Sequence, residues 1–152
     1  MTSAETSLEP KVELVQGTNA DQLTQRIRQE LARFNEMKTG DRHLSPLVLS
    51  LTDANAQIIG GLVGESFWNA VHVELLWVAE QHRRRGYGRR LMEKAEGEAR
   101  ARGANLVYLN TFSFQAPAFY ERLGYQQFGE LADTPKGAKR MWYVKKLTDH
   151  AA

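Results

Sequence analysis

The sequence predicts a single α/β domain. Segments with apolar residues at helical spacing alternate with short β-rich apolar runs bounded by turn residues. The 42% hydrophobic content of 152 residues is also enough to fill one core of mixed helix and strand.

In chain order, residues 1–10 are polar and aperiodic and read as a flexible tail, followed by a first strand at about 12–15. Over 19–34, Leu23, Ile27, Leu31 and Phe34 recur at steps of four, four and three, which predicts a helix with one buried stripe, ending at Gly40. Residues 47–51 and 57–63 flank Asp53, Ala54 and Asn55 and predict a hairpin. The run 71–78 is apolar on both faces, as expected of a central strand. Leu91, Met92, Ala95 and Ala99 give a second amphipathic helix that stops at Gly103, and 106–109 supplies a strand. Pro117 suits the first turn of a short helix burying Ala116, Phe119, Tyr120 and Leu123 and ending at Gly124. Residues 125–128 and 141–144 close the chain as an antiparallel pair. The domain is expected over 11–147, with a tail at 148–152.

Composition excludes several classes. No stretch approaches the roughly 20 apolar residues of a membrane span, and the start MTSAETSLEP lacks the basic and apolar parts of a secretory signal. A soluble, cytoplasmic protein without a membrane partner is expected. Absence of cysteine removes disulfides, thiolate metal sites and any acyl-cysteine relay. His43, His72, His82 and His150 show no ligand spacing, so no metal is expected. A net charge of +2 is too small to argue for nucleic acid.

The charge is unevenly spread. Arg83, Arg84, Arg85, Arg89 and Arg90 surround Gly86, Tyr87 and Gly88, between the buried strand and the second amphipathic helix. The first turn of a helix has N–H groups without intrahelical partners and a favourable dipole for anions. Glycines permit close approach and arginines add charge-assisted hydrogen bonds, so strand, glycine turn and helix form an anion site. A solvated basic loop is the alternative on these residues alone.

Here the sequence resembles the GNAT superfamily of N-acetyltransferases, whose coenzyme A loop reads Gln/Arg-x-x-Gly-x-Gly/Ala and is matched by Arg83, Gly86 and Gly88. Leu76, Trp77 and Val78 resemble the family strand that pairs with the pantetheine arm, and the segment from Phe119 through Tyr120 to Tyr125 resembles its C-terminal signature. Ser113 stands where many members have an asparagine near the pantetheine, and it can instead cap the short helix. The resemblance implies a mixed, twisted β-sheet flanked by helices, with the strand ending at Val78 splayed from the one ending near Asn110. It also implies acetyl-CoA as acyl donor, held by residues 76–78, Arg83 to Arg89, Ser113 and Phe119.

The implied activity is transfer of acetyl to a primary amine by direct attack in a ternary complex. Tyr120, which on spacing alone reads as a core aromatic, then has the task of assisting the departing thiolate. The amine needs a base, because an alkyl ammonium has a pKa of roughly 10. Glu74 sits among Val71, Val73, Leu75, Leu76 and Trp77, where burial would raise its pKa; pairing with an arginine or exposure is the other reading. His72 shares its side if the strand alternates regularly. Backbone N–H groups near Trp77 and Val78 would stabilise the developing oxyanion. Phe67, Trp68, Phe112 and Phe114 could form an aromatic acceptor wall or pack in the core. The partner expected is a small-molecule or peptide amine, and a homodimer is compatible with the chain. A non-catalytic acyl-CoA sensor stays open, as does a basic nucleic-acid-binding module, although Glu93, Glu96 and Glu98 follow close behind the arginines.

Overall fold

The computed structural model describes residues 9–147, so 1–8 of the expected N-terminal tail, the expected tail at 148–152 and His150 lie outside the described residues. The chain divides between Asp41 and Arg42 into two units. In the first, helix α1 (Thr18–Thr39) ends at Gly40, whose φ of 76° suits a residue without Cβ and whose N–H donates to the Glu36 carbonyl. None of its residues is buried, contrary to the buried stripe expected of Leu23, Ile27, Leu31 and Phe34. Periodicity decides which side chains share a face, whereas burial takes a partner surface. Residues 12–15 likewise form no strand, and Val12 and Leu14 are exposed; strand backbone is stable only when a neighbouring ladder satisfies its polar groups.

The second unit is a six-stranded sheet with two helices. In chain order it comprises β1 (Ser45–Thr52), β2 (Ile58–Phe67), β3 (Ala70–Val78), a 3₁₀ turn (Glu80–His82), α2 (Tyr87–Ala101), β4 (Leu106–Phe112), α3 (Pro117–Arg122), β5 (Gln126–Ala132) and β6 (Lys139–Lys146). The strand order is β1-β2-β3-β4-β6-β5. Among the described residues only β3 and β4 pair in parallel, and the crossover that a parallel pair requires is made through α2. This is the mixed α/β sheet that the sequence predicts. Among the described residues no helix is long and apolar enough to cross a membrane.

Local chemistry explains the joints. Asp53 Oδ1 accepts the N–H groups of Asn55 and Gln57, which closes the β1–β2 hairpin as an Asx turn. Ala95 and Ala99 of α2 are fully buried with Met92 against Leu47, Leu62, Val71, Val73, Val107 and Leu109, so the small side chains let the helix lie close on one face of the sheet. At the other end of α2, Arg102 donates to the carbonyls of Ser45 and Pro46 and to the Ser66 hydroxyl.

Strand β3 departs from the expected doubly buried strand. Val71 and Val73 are buried, but Leu75 and Trp77 are 58% and 52% exposed. Between these halves the pairing with β2 slips: Val73 lies opposite Gly64 and Leu75 opposite Val63, leaving Glu74 as the extra residue of a β-bulge. The inward-facing positions therefore change from odd (Val71, Val73) to even (Leu76, Val78). Glycine is required here, because a Cβ on Gly64 would run into the His72 carbonyl. Beyond the bulge β3 has no partner on its β4 side, since pairing ends at Val73 with Leu109. Strand β4 continues to Phe112 along β6 instead.

Candidate active site

The divergence of β3 and β4 opens a cleft of about 610 Å³ between them, bounded by the start of α2 and by α3. That volume suits a small-molecule or cofactor site. The cleft collects Glu74, Leu76, Val78, Arg83, Arg84, Gly86, Tyr87, Gly88, Arg89, Phe119 and Tyr120 from the residues singled out in the sequence. His72, Trp77, Arg85 and Ser113 are not among its lining residues.

At one end the chain turns into α2 through Gly86, which has φ 79° and no capping side chain. The first helical hydrogen bond is from Arg90 N–H to the Gly86 carbonyl, so the N–H groups of Tyr87, Gly88 and Arg89 have no intrahelical acceptor. A Cβ on Gly88 would stand 3.2 Å from the Phe119 ring, so glycine here lets α2 start close against α3. The arginines divide their tasks. Arg83 Nε donates to the Val78 carbonyl at 2.8 Å and ties the turn to the end of β3. Arg89 pairs with Glu93 in the next turn, and Arg90 lies over the Tyr87 ring.

The Val78 carbonyl that Arg83 holds lies on the β4 side, and Ala79 N–H donates to Ile59 on the β2 side. Strand alternation then turns the N–H groups of Leu76 and Val78 toward the cleft and that of Trp77 toward β2. The free donors of the splayed strand are thus Leu76 and Val78.

Tyr120 is 8% exposed, packed edge-on against Phe119 and Tyr125, and its hydroxyl forms no hydrogen bond among the described residues. Burial pushes its pKa up to about 12. Two tyrosine–carboxylate bonds fix the surroundings of Tyr120, one holding α3 to β6 and one holding a residue that follows α3 to α2. Tyr143 donates to Glu121 at 2.9 Å, and Tyr125 donates to Glu96 at 3.0 Å. Glu96 is buried and also receives Lys145 Nζ on both oxygens.

Glu74 is exposed rather than buried, because the bulge lifts it out of the ladder at the point where β3 loses β4. The same bulge defeats the expected shared face with His72. His72 lies flat on Tyr108 at 4.8 Å between ring centroids, across from Val71 and Val73, whereas Glu74 falls in phase with Leu76 and Val78. Ser113 does not cap α3: its hydroxyl accepts Lys139 N–H at the start of β6. The four aromatics of the expected wall form two separate groups, Phe67 with Trp68 and Phe112 with Phe114.

Sequence reasoning missed Asn110, Thr111, Gln115 and His82, all of which line the cleft. Gln115 Oε1 accepts from the Thr111 hydroxyl and from Phe112 N–H, which shapes the turn from β4 to α3. His82 Nδ1 is buried and has no hydrogen-bond partner among the described residues. No periodicity marks these residues: parallel pairing across a helix crossover brings Asn110 and Thr111 of β4 to the cleft, and His82 and Gln115 lie in the turns that follow β3 and β4.

Residues 13–125 match the model of the acetyltransferase (GNAT) family. The chain is 41% identical over 92 residues to blasticidin-S acetyltransferase of Streptomyces morookaense, covering 60% of this chain and 68% of that one. It is 32% identical over 121 residues to acetyltransferase Atu2258 of Agrobacterium fabrum, covering 80% and 88%. The crystal structure of an acetyltransferase from Bacillus cereus superposes with a TM-score of 0.79 at 30% identity, covering 90% of this chain and 98% of the other. The chain therefore belongs to the GNAT family of acetyltransferases and is an acyltransferase.

Proposed function

We propose that the enzyme transfers an acetyl group from acetyl-CoA to a primary amine by direct attack in a ternary complex. The observation that carries this reading is the unpaired edge of β3 running from Glu74 to Val78 and ending at the uncapped start of α2. An extended amide-containing arm can pair with such an edge while its phosphates meet the helix start. The N–H groups of Tyr87, Gly88 and Arg89 and the side chains of Arg83 and Arg84 would hold the pyrophosphate; Leu76 and Val78 would pair with the pantetheine arm. Acetyl-CoA, when bound, supplies the activated thioester.

Glu74, exposed in the cleft, takes the proton from the incoming ammonium directly or through water. The N–H groups at the end of β3 polarise the thioester carbonyl. Tyr120 stays protonated throughout the physiological range, since its pKa is near 12. A free thiol has a pKa of about 8.5, so complete proton transfer from Tyr120 to the thiolate is uphill, and the phenol acts by donating a hydrogen bond. The relative named for blasticidin-S supports a small-molecule acceptor.

Calorimetric titration with acetyl-CoA, combined with thiol release across a panel of amines, tests the reading. Saturable binding and amine-dependent release are expected. Binding without release for any amine would overturn the amine as acceptor.

A further inference from the structure

We propose that Arg140 recognises a carboxylate on the acceptor, so that the substrate amine belongs to an amino acid or short peptide. This rests on the acetyl transfer proposed above and adds the class of acceptor.

Val107, Leu109 and Thr111 are buried toward α2 and α3, so Tyr108, Asn110 and Phe112 alternate to the opposite face. The helix-bearing side of the cleft is occupied by the anion turn, Phe119 and Tyr120. An acceptor meeting a donor held there must come from the opposite side, the side of Asn110.

Arg140 stands on that side. On β6 it lies directly across from Phe112. Its Nε donates to Asn110 Oδ1 at 2.9 Å, so the guanidinium is one hydrogen bond from a residue lining the cleft. It lies over the rings of Phe112 and Trp142, at 5.6 and 5.2 Å from their centroids, and Phe114 stacks on Phe112. A guanidinium stacked on aromatic faces and tied through one nitrogen has little rotational freedom left.

Its remaining N–H donors are uncommitted: no carboxylate lies within 4 Å of Arg140 among the described residues, whereas Arg89 and Arg102 each hold a glutamate. A fixed planar fork with free parallel donors matches a carboxylate bidentately. Simple packing explains the aromatic contacts, but a neutral side chain would fill that space without placing a charge beside the cleft.

The test is kcat/KM for amino acids and their carboxamides as paired acceptors, with wild type, Arg140→Gln and Arg140→Lys, and acetyl-CoA affinity measured in parallel. Wild type should prefer acids over their amides by about 10- to 100-fold, the range of a charge-assisted hydrogen bond. Arg140→Gln should bring the ratio close to unity, with acetyl-CoA affinity retained. Arg140→Lys, which keeps the charge and loses the fork, should show a reduced ratio and decides the matter if the glutamine variant does not fold. Equal use of acids and amides by wild type, or a preference that survives these substitutions, overturns the proposal. Failure to acetylate any acid or amide also overturns it; if acetyl-CoA binds and another amine is acetylated, the acetyl-transfer reading stands without it.

Discussion

Val73 and Leu109 are the last residues that pair between β3 and β4. Past them both strands continue, β3 along β2 after the bulge at Glu74 and β4 along β6, so the gap is held open from both sides by strand pairing. A cleft framed in this way keeps its shape without a ligand, which is the condition for positioning two reactants.

Gly86→Val should weaken acetyl-CoA binding at least about 10-fold. The Cβ itself has open space, but a β-branched residue is strained at φ 79°, by about 1–3 kcal/mol, and the turn must rearrange. Calorimetry on a variant shown by circular dichroism to be folded is the check. Unchanged affinity would place the anion site elsewhere.

For Tyr120→Phe, kcat should fall about 10- to 100-fold with acetyl-CoA affinity nearly unchanged. The ring that packs on Phe119 and Tyr125 remains, and the hydrogen bond to the leaving thiolate is lost. Rapid-quench measurement of the chemical step decides it; an unaltered rate makes Tyr120 purely structural.

Glu74→Gln should lower kcat about 100-fold or more while leaving acetyl-CoA affinity intact. His72→Ala should leave kcat nearly unchanged, because His72 packs on Tyr108 and does not line the cleft. The converse result moves the base to His72, and an unchanged kcat in both variants assigns proton removal to solvent.

The buried tyrosines predict alkaline lability. Burial raises Tyr120 and Tyr143 to about 12, and burial with the adjacent Glu96 charge raises Tyr125 further. The folded state holds these protons more tightly than the unfolded chain, whose tyrosines titrate near pH 10. Their contribution is therefore complete below about pH 10 and is lost as pH rises toward 12. Tm should decline over that interval, and Tyr125→Phe should make the decline shallower. A flat Tm across the interval would contradict the assignment.

At the Glu96–Lys145 pair the two partners should differ. The glutamate side chain is 7% exposed and the lysine 26%. Lys145→Met strands a buried carboxylate and should cost about 3 kcal/mol, whereas Glu96→Gln leaves a lysine that can reach water and should cost less. Urea unfolding of both variants measures the order; a larger loss for Glu96→Gln would reverse it.

What the sequence determined by itself is local. The helical steps over Leu91, Ala95 and Ala99, the Asp53 turn and the Arg83–Gly86–Gly88 loop each depend on neighbours a few residues away, and each occurs where expected. Tertiary structure decided the rest. Glu74 is exposed because β2 and β3 pair out of step at Gly64, and that slip also parts it from His72. Ser113 serves β6 instead of α3, and Arg140 reaches Asn110 from thirty residues away. The apolar stripe of α1 was visible, but its exposure was not. Periodicity records which side chains share a face, while burial, register and partners depend on surfaces that meet only when distant segments fold together.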